Sequence, residues 1–278
     1  MRQYGFTFSR RLPMFLAAGF LTVSAQTSPA PDAGLTHAQK EEFMLKAKVV
    51  KTKTAAKGIT NTVRATLSDG TLSHDVSIQR IDETKHSFET PYGTELIFRD
   101  SWKFNLAAYK LDRLLGLNMI PATVERAYEG SHGAWTWWVD DVLMDEGQRQ
   151  SKKVQAPDKK KWDDQMSAVN VFDQLIFNID RNMGNLLYDQ NWQIWMIDHT
   201  RSFRTNTALM DEKVLTRCDS ALLEKMKQLD AATLKKELDR YDIGPDQIKG
   251  LLARRDKIVK IFEQKGPAAM YSMTRLPD

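Results

Sequence analysis

Asp180, Asn185 and Asp198 are the residues of this 278-residue chain whose types and spacing could do chemistry. They belong to two segments, Asn178-Ile179-Asp180-Arg181-Asn182-Met183-Gly184-Asn185 and Trp195-Met196-Ile197-Asp198-His199. Asn185 follows Asp180 by five positions, and Asp198 follows Asn185 by 13. A carboxylate on a loop can orient a hydroxyl and accept its proton, while an amide oxygen and a second carboxylate can share a hard cation with phosphate oxygens. Mg²⁺ often needs only one or two carboxylates beside the phosphates. Asn185 and Asp198 are therefore the candidate metal ligands, and Asp180 the candidate catalytic residue. Asp180 and Asn185 also suit turns or caps, and Asp198 could cap the segment after its strand. His199 reads as a structural residue packed under Asp198 rather than as a ligand or base. Arg201 and Arg204 either pair with acids in the site or bind phosphate.

These residues need elements to hold them. An apolar stripe of Met166, Val169, Phe172, Leu175 and Ile176 predicts a helix over 162–177, and 186–188 and 192–197 read as short strands around Asp189-Gln190-Asn191. The candidate loop thus joins a helix to a hairpin. Beyond position 209 the pattern predicts helices near 220–228, 231–241 and 245–264. Upstream the chain is richer in strands. Segments 63–67 and 72–81 alternate around Ser68-Asp69-Gly70, a hairpin signal. Strands are expected at 95–98, 121–127 and 134–139, and helices at 36–53 and at 101–115, the latter ended by Gly116. The result is an α+β, bilobal layout: a small strand-rich N-lobe over 35–145 with one prominent helix, a linker or hinge loop at 146–160, and a larger helical C-lobe over 161–278.

The loop and strand-end motifs resemble those of the atypical protein-kinase-like fold, which includes HipA-like kinases, phosphatidylinositol 3-/4-kinases and secretory kinases of the four-jointed type. Asp180 through Asn185 is similar to the Asp-Arg-His-x-x-Asn loop of the lipid-kinase-like group, with Asn182 in place of His. Ile197-Asp198-His199 is similar to its Ile-Asp-Phe metal motif. The resemblance is sharp over 172–204, and it implies ATP with Mg²⁺ or Mn²⁺ and a hydroxyl acceptor, which could be a protein, a lipid headgroup, a sugar or a small molecule. It also implies a strand Lys paired with a helix Glu at the phosphates. Gln79 and Asn105 stand near those positions, so an amide pair replaces the ion pair, with Arg80 on the other face. Lys85 and Glu95 are the substitutes in a shifted register. Lys57-Gly58-Ile59-Thr60 is a thin candidate for the glycine-rich loop. Trp135, Trp137 and Trp138 read as core, or as an adenine wall leading to a hinge at Val139-Asp140-Asp141, with Val139 against the nucleotide. A non-catalytic, pseudokinase-type binding module is the alternative that the amide pair favours.

Composition narrows the remaining classes. Residues 42% hydrophobic and 27% charged are those of a globular chain. A single cysteine, Cys218, excludes a disulfide framework or a thiolate zinc site; it reads as a buried residue on a helix. Arg2, Arg10 and Arg11, the apolar run 12–23 and Val23-Ser24-Ala25 have the layout of a signal peptide over 1–25, followed by a linker at 26–34. The apolar run is too short to span a bilayer, and an uncleaved surface or buried helix is the other use for it. Export to the periplasm or outside the cell is expected, with no transmembrane helix in the mature chain. Cleavage would remove three arginines and no acids, taking the net charge from +4 to +1. The remaining basic residues are interleaved with acids, apart from Lys159-Lys160-Lys161, so a nucleic-acid partner is not expected.

Overall fold

The computed structural model describes residues 34–54 and 62–275, which pack as one compact unit. The expected signal peptide, nearly all of the linker after it and the Lys57-Gly58 loop lie outside the described residues. Helix α1 (His37–Lys46) opens with a capping box, in which Thr36 accepts from the Gln39 N–H and the Gln39 side chain accepts from the Thr36 N–H. It stops well short of position 53. The β-branched run Val49, Val50, Thr52 and Thr54 favours extended backbone. Strand β1 (Lys48–Thr54) accordingly pairs with β2 (Val63–Ser68). β2 turns through Asp69 and Gly70 into β3 (Ser73–Gln79), as the Asp-Gly signal predicts.

The chain then leaves the sheet. Strands β4 (Asp82–Thr90) and β5 (Gly93–Ser101) form a separate hairpin. Only 95–98 reads as strand in the sequence, because β4 is almost entirely polar and exposed and has no apolar alternation to reveal it. The hairpin is held by stacking of Phe88 on Phe98, with ring centroids 4.2 Å apart. Helix α2 (Lys103–Leu115) follows and ends at Gly116, whose φ of 64° makes the left-handed cap that glycine allows without strain. Strands β6 (Thr123–Tyr128) and β7 (Ser131–Trp137) return to complete an antiparallel five-stranded sheet in the order β1-β2-β3-β7-β6. Trp135 and Trp137 are buried in the core, while Trp138 is half-buried under the Arg64 guanidinium.

β8 (Val142–Asp145) leads into a short helix, α3 (Glu146–Ser151), inside the polar stretch between the strand-rich and helical parts. Helix α4 (Lys159–Ile176) follows, and β9 (Leu186–Asp189) and β10 (Ile194–Met196) join β8 in a three-stranded sheet. Cys218 is buried, but on a two-residue strand, β11 (Cys218–Asp219), rather than on a helix. Its backbone pairs with β12 (Met270–Tyr271) before α5 (Ser220–Gln228) begins. Helices α6 (Ala231–Leu238) and α7 (Pro245–Lys265) complete the helical part, with α7 packed on α4, α5 and α6. One continuous apolar core runs from Phe43 and Met44 through α2 and α4 to Phe262 and Met273.

α7 also backs the segment that follows Asp198. Arg254, fully buried, donates from Nε to the Leu175 carbonyl (2.9 Å) and from Nη1 to the Arg204 carbonyl (3.0 Å). Gly250 makes this approach possible: a Cβ there would lie 2.8 Å from the Thr205 oxygen and 3.0 Å from the Arg204 oxygen. Alanine is favoured over glycine in a helix by about 1 kcal/mol, but forcing atoms into packed backbone costs about 1–3 kcal/mol. Gly250→Ala is therefore expected to lower unfolding free energy in a urea titration, against its helix propensity.

Candidate active site

The loop carrying Asp180 is positioned from α4. Phe177 ends that helix in the left-handed conformation, with φ 53° and its N–H on the Asp173 carbonyl. Asp173 is a buried acid beside the apolar stripe of α4. Its carboxylate receives Arg181 through Nε (2.8 Å) and Nη2 (3.0 Å), and Asn178 Nδ2 (3.1 Å). Arg181 Nη1 donates to the carbonyls of Asn185 (3.0 Å) and Ile197 (2.9 Å), and Nη2 lies 2.9 Å from His199 Nε2. Since a guanidinium has no acceptor, His199 accepts at Nε2 and is neutral. Burial, then the charge of Arg181, hold its pKa well below the usual imidazole value. His199 is buried edge-on against Phe172, the structural role its sequence position suggests.

Asp180, Asn185 and Asp198 converge around this hub. The Ile197 N–H donates to the Asn185 carbonyl (3.0 Å), which sets Asp198 beside Asn185. Asn185 Nδ2 donates to the Asp180 carbonyl (3.2 Å), so the amide nitrogen braces the loop and the amide oxygen is left for a ligand. Asp198 has φ 56° and its carboxylate accepts from the Thr200 hydroxyl (3.2 Å) and from the Gln79 side chain. Burial, reinforced by the Asp180 charge, raises the Asp198 pKa against these hydrogen bonds. Asp180 keeps its side chain 40% exposed, with Arg201 Nη1 at 3.3 Å from its carboxylate.

Gln79 and Asn105 meet as a buried pair. Asn105 Nδ2 donates to Gln79 Oε1 (2.7 Å), and Asn105 Oδ1 accepts from the His199 N–H (2.7 Å). A relay of neutral groups therefore runs from the end of β3, through α2, to the Asp198–His199 turn. Arg80 points away and donates to the Tyr128 carbonyl (3.1 Å). Lys85 and Glu95 are engaged elsewhere, Lys85 with Glu83 and Glu95 with Arg204. Val139 is half-buried on the loop after β7, and no hydrogen bond among the described residues ties it to the three site residues.

Two contributors are not visible as site residues in the sequence. Asp100, buried at the end of β5, binds Arg201 Nε at 2.6 Å, and its Oδ1 has no hydrogen-bond partner among the described residues. Asp173 shows only as a polar residue between Phe172 and Leu175. Asp100, Asp180 and Asp198 all surround the single guanidinium of Arg201, which their charges keep firmly protonated despite its burial. Arg204 adds a second positive charge near Asp100 but is itself paired with Glu95, so the carboxylates still outnumber the cations and leave an excess of negative charge. With the oxygens of Asn185 and Asp198, that excess fits a divalent hard cation. No cage of three or more His, Cys, Asp or Glu side chains occurs among the described residues, so such a cation would complete its shell with phosphate oxygens and water.

No protein-family model matches the sequence, and no curated protein matches it. Solved structures do match. Hydra Fam20, determined with sugar, superposes with a TM-score of 0.60 at 19% identity, covering 84% of this chain and 92% of that one. The Golgi casein kinase gives a TM-score of 0.54 at 13% identity over 87% of this chain and 79% of its own. The Helicobacter pylori proinflammatory kinase CtkA gives 0.50 at 11% identity over 77% and 92%. The chain has an atypical protein-kinase-like fold. Within this kinase-like fold, the five-stranded sheet, α2 and the 180–198 region occur in the order the sequence motifs require.

Arg181 bears the most structural weight in the kinase-like loop region. Removing one member of a buried ion pair costs about 3–5 kcal/mol because the other charge is left unpaired. Arg181→Ala is expected to destabilise the protein by that order in urea unfolding. Arg181→Lys is expected to recover little, since an ammonium cannot make the forked contact with Asp173 while reaching two carbonyls.

Proposed function

We propose that this protein binds ATP with Mg²⁺ or Mn²⁺ and transfers its γ-phosphoryl group to a hydroxyl acceptor. The observation that carries the reading is the convergence of Asp180, Asn185 and Asp198, with the metal-ligand pair locked by one backbone hydrogen bond and Asp180 open to solvent. Asn185 and Asp198 would hold the cation, which would neutralise charge on the phosphates. Asp180 would accept the proton of the attacking hydroxyl. The acceptor oxygen bonds to the γ-phosphorus as the bond to the β,γ-bridging oxygen breaks, and ADP leaves. In such a site positioning and charge neutralisation account for most of the rate.

The neutral Gln79–Asn105 pair favours a second reading, a pseudokinase-type module that binds nucleotide without transferring phosphate. Single-turnover assays with γ-labelled ATP distinguish the two. The named neighbours include a casein kinase and a Fam20 protein solved with sugar, so protein and sugar hydroxyls are the acceptors to assay first, then lipid headgroups and small molecules. The arrangement of residues 1–25 supports export to the periplasm or the cell exterior, and among the described residues no helix is long and apolar enough to cross a membrane. Interleaved surface charge gives no support to a nucleic-acid partner.

ATP with Mg²⁺ or Mn²⁺ is expected to raise the melting temperature of the wild-type protein. Asp198→Ala is expected to abolish that metal-dependent shift while remaining folded, and an unchanged shift would remove the reading. Asp180→Asn is expected to keep nucleotide binding and lose transfer by about a hundredfold or more, the scale of a lost general base.

A further inference from the structure

The amide pair leaves the phosphates without the strand cation that the kinase-like arrangement uses. Gln79 and Asn105 carry no charge, and both are occupied by each other, by Asp198 and by the His199 N–H. The other nearby guanidiniums are either committed to partners or buried. Arg181 spends Nε and both Nη groups on Asp173, two carbonyls and His199. Arg204 is only 3% exposed, packed over Phe98 between Glu95 and the Arg99 carbonyl, so its Nε and Nη2, which have no hydrogen-bond partner among the described residues, are closed off by burial rather than by partners.

Arg201 differs from both. Its Nε is fixed by Asp100 at 2.6 Å, its Nη1 is 3.3 Å from Asp180, and no described residue accepts a hydrogen bond from Nη2. The side chain is 27% exposed. Its charge lies against Asp180, the candidate base, and is felt by Asp198, the candidate metal ligand. On the reading proposed above, that puts a cation beside the base that faces the transferred group.

We propose that Arg201 is the phosphate-contacting cation of this site, taking over the role of the missing strand lysine, with Asp100 as its positioning residue. Asp100 holds Nε, which fixes the guanidinium plane with Nη1 against Asp180 and leaves Nη2 without an acceptor among the described residues. A planar guanidinium held in this way matches two phosphate oxygens at once. Its contact with Asp180 is half-exposed, and such pairs contribute little. Phosphate oxygens can therefore replace Asp180 at Nη1, leaving the Asp180 carboxylate for the acceptor. The β4–β5 hairpin gains a purpose from this arrangement, because it delivers Asp100.

The test uses the full-length chain and two binding measurements, Mn²⁺ alone by paramagnetic resonance and Mn²⁺·ATP by titration calorimetry. Arg201→Gln is expected to weaken Mn²⁺·ATP binding about tenfold or more, the loss of one charge-assisted hydrogen bond. The same variant removes a positive charge beside Asp198, so Mn²⁺ alone is expected to bind as well or more tightly. AMP, which lacks the outer phosphates, is expected to change by less than about twofold on the same grounds. Opposite effects on metal and on ATP are what a merely structural role would not produce. Equal loss of Mn²⁺, AMP and ATP would overturn the proposal, as would ATP affinity unchanged from wild type. If wild-type protein bound no Mn²⁺·ATP, the nucleotide reading would fail and the role of Arg201 with it. Should Arg201→Gln unfold, Arg201→Lys carries the test: it keeps the charge but loses the fork, and ATP binding equal to wild type would again overturn the assignment.

Discussion

The buried amide of Asn105 sets the relation between sheet, helix and site. Its oxygen takes the His199 N–H and its nitrogen reaches Gln79, whose own side chain reaches Asp198. A polar group buried without a partner costs about 1–3 kcal/mol in proteins, and an unpaired charge costs far more. An amide relay with each end satisfied avoids both costs. The backbone constraint at Asp198 depends on it as well. A φ of 56° is uncommon outside glycine, though aspartate tolerates it better than most residues. Hydrogen bonds on both sides of the turn, from Gln79 and Thr200 to the side chain and from His199 to Asn105, hold that conformation in place.

A second layer makes the site rigid from below. Arg181 ties α4 to both site segments, and Arg254 ties the 204–206 segment to the end of α4 through carbonyls alone. Burial without a carboxylate partner lowers the Arg254 pKa to about 9, still high enough to keep it charged near neutrality. Residues 199, 200 and 202–204 are consequently all buried. The candidate metal ligands sit on a platform that is already formed, the preorganisation by which electrostatic sites avoid reorganising during a reaction.

Which parts were legible follows from the kind of signal each part leaves. The helices of the C-terminal part repeat apolar residues at helical spacing, and the sequence reading locates 220–228 and 245–264 to within a residue or two of α5 and α7. Asp180, Asn185 and Asp198 are visible because they lie close together in sequence on a loop and a strand end. The Gln79–Asn105 contact could be anticipated only through the resemblance to kinase-like folds, since 26 positions separate the two residues. The β4–β5 hairpin was mostly hidden, as its exposed polar strand carries no period, and Asp100 was hidden with it. Arg181 looked like a loop residue because two of its partners are backbone carbonyls and its carboxylate partner, Asp173, lies eight positions upstream on a helix face that reads as apolar. Helix 36–53 failed at the point where β-branched residues replace the cap-and-stripe pattern.

If the amide relay stands where kinases carry a strand lysine and helix glutamate, it also changes what α2 can do. In kinases that use the strand lysine and helix glutamate, the position of the helix decides whether the pair forms, and so whether the site is competent. Here α2 is bound into the helical part along its length. Asn105 holds the His199 backbone, Lys103 pairs with Asp242 at 2.5 Å, and Lys110 pairs with Glu237 at 2.9 Å. Swinging α2 outward would break the buried relay and strand the His199 N–H without an acceptor. The two ion pairs are part-exposed and contribute modestly, so it is the buried amide that resists the motion. On the proposed reading, a neutral pair that forms with the fold and a cation on the segment after Asp198 would make the site's competence depend on what binds to it more than on where its helix stands.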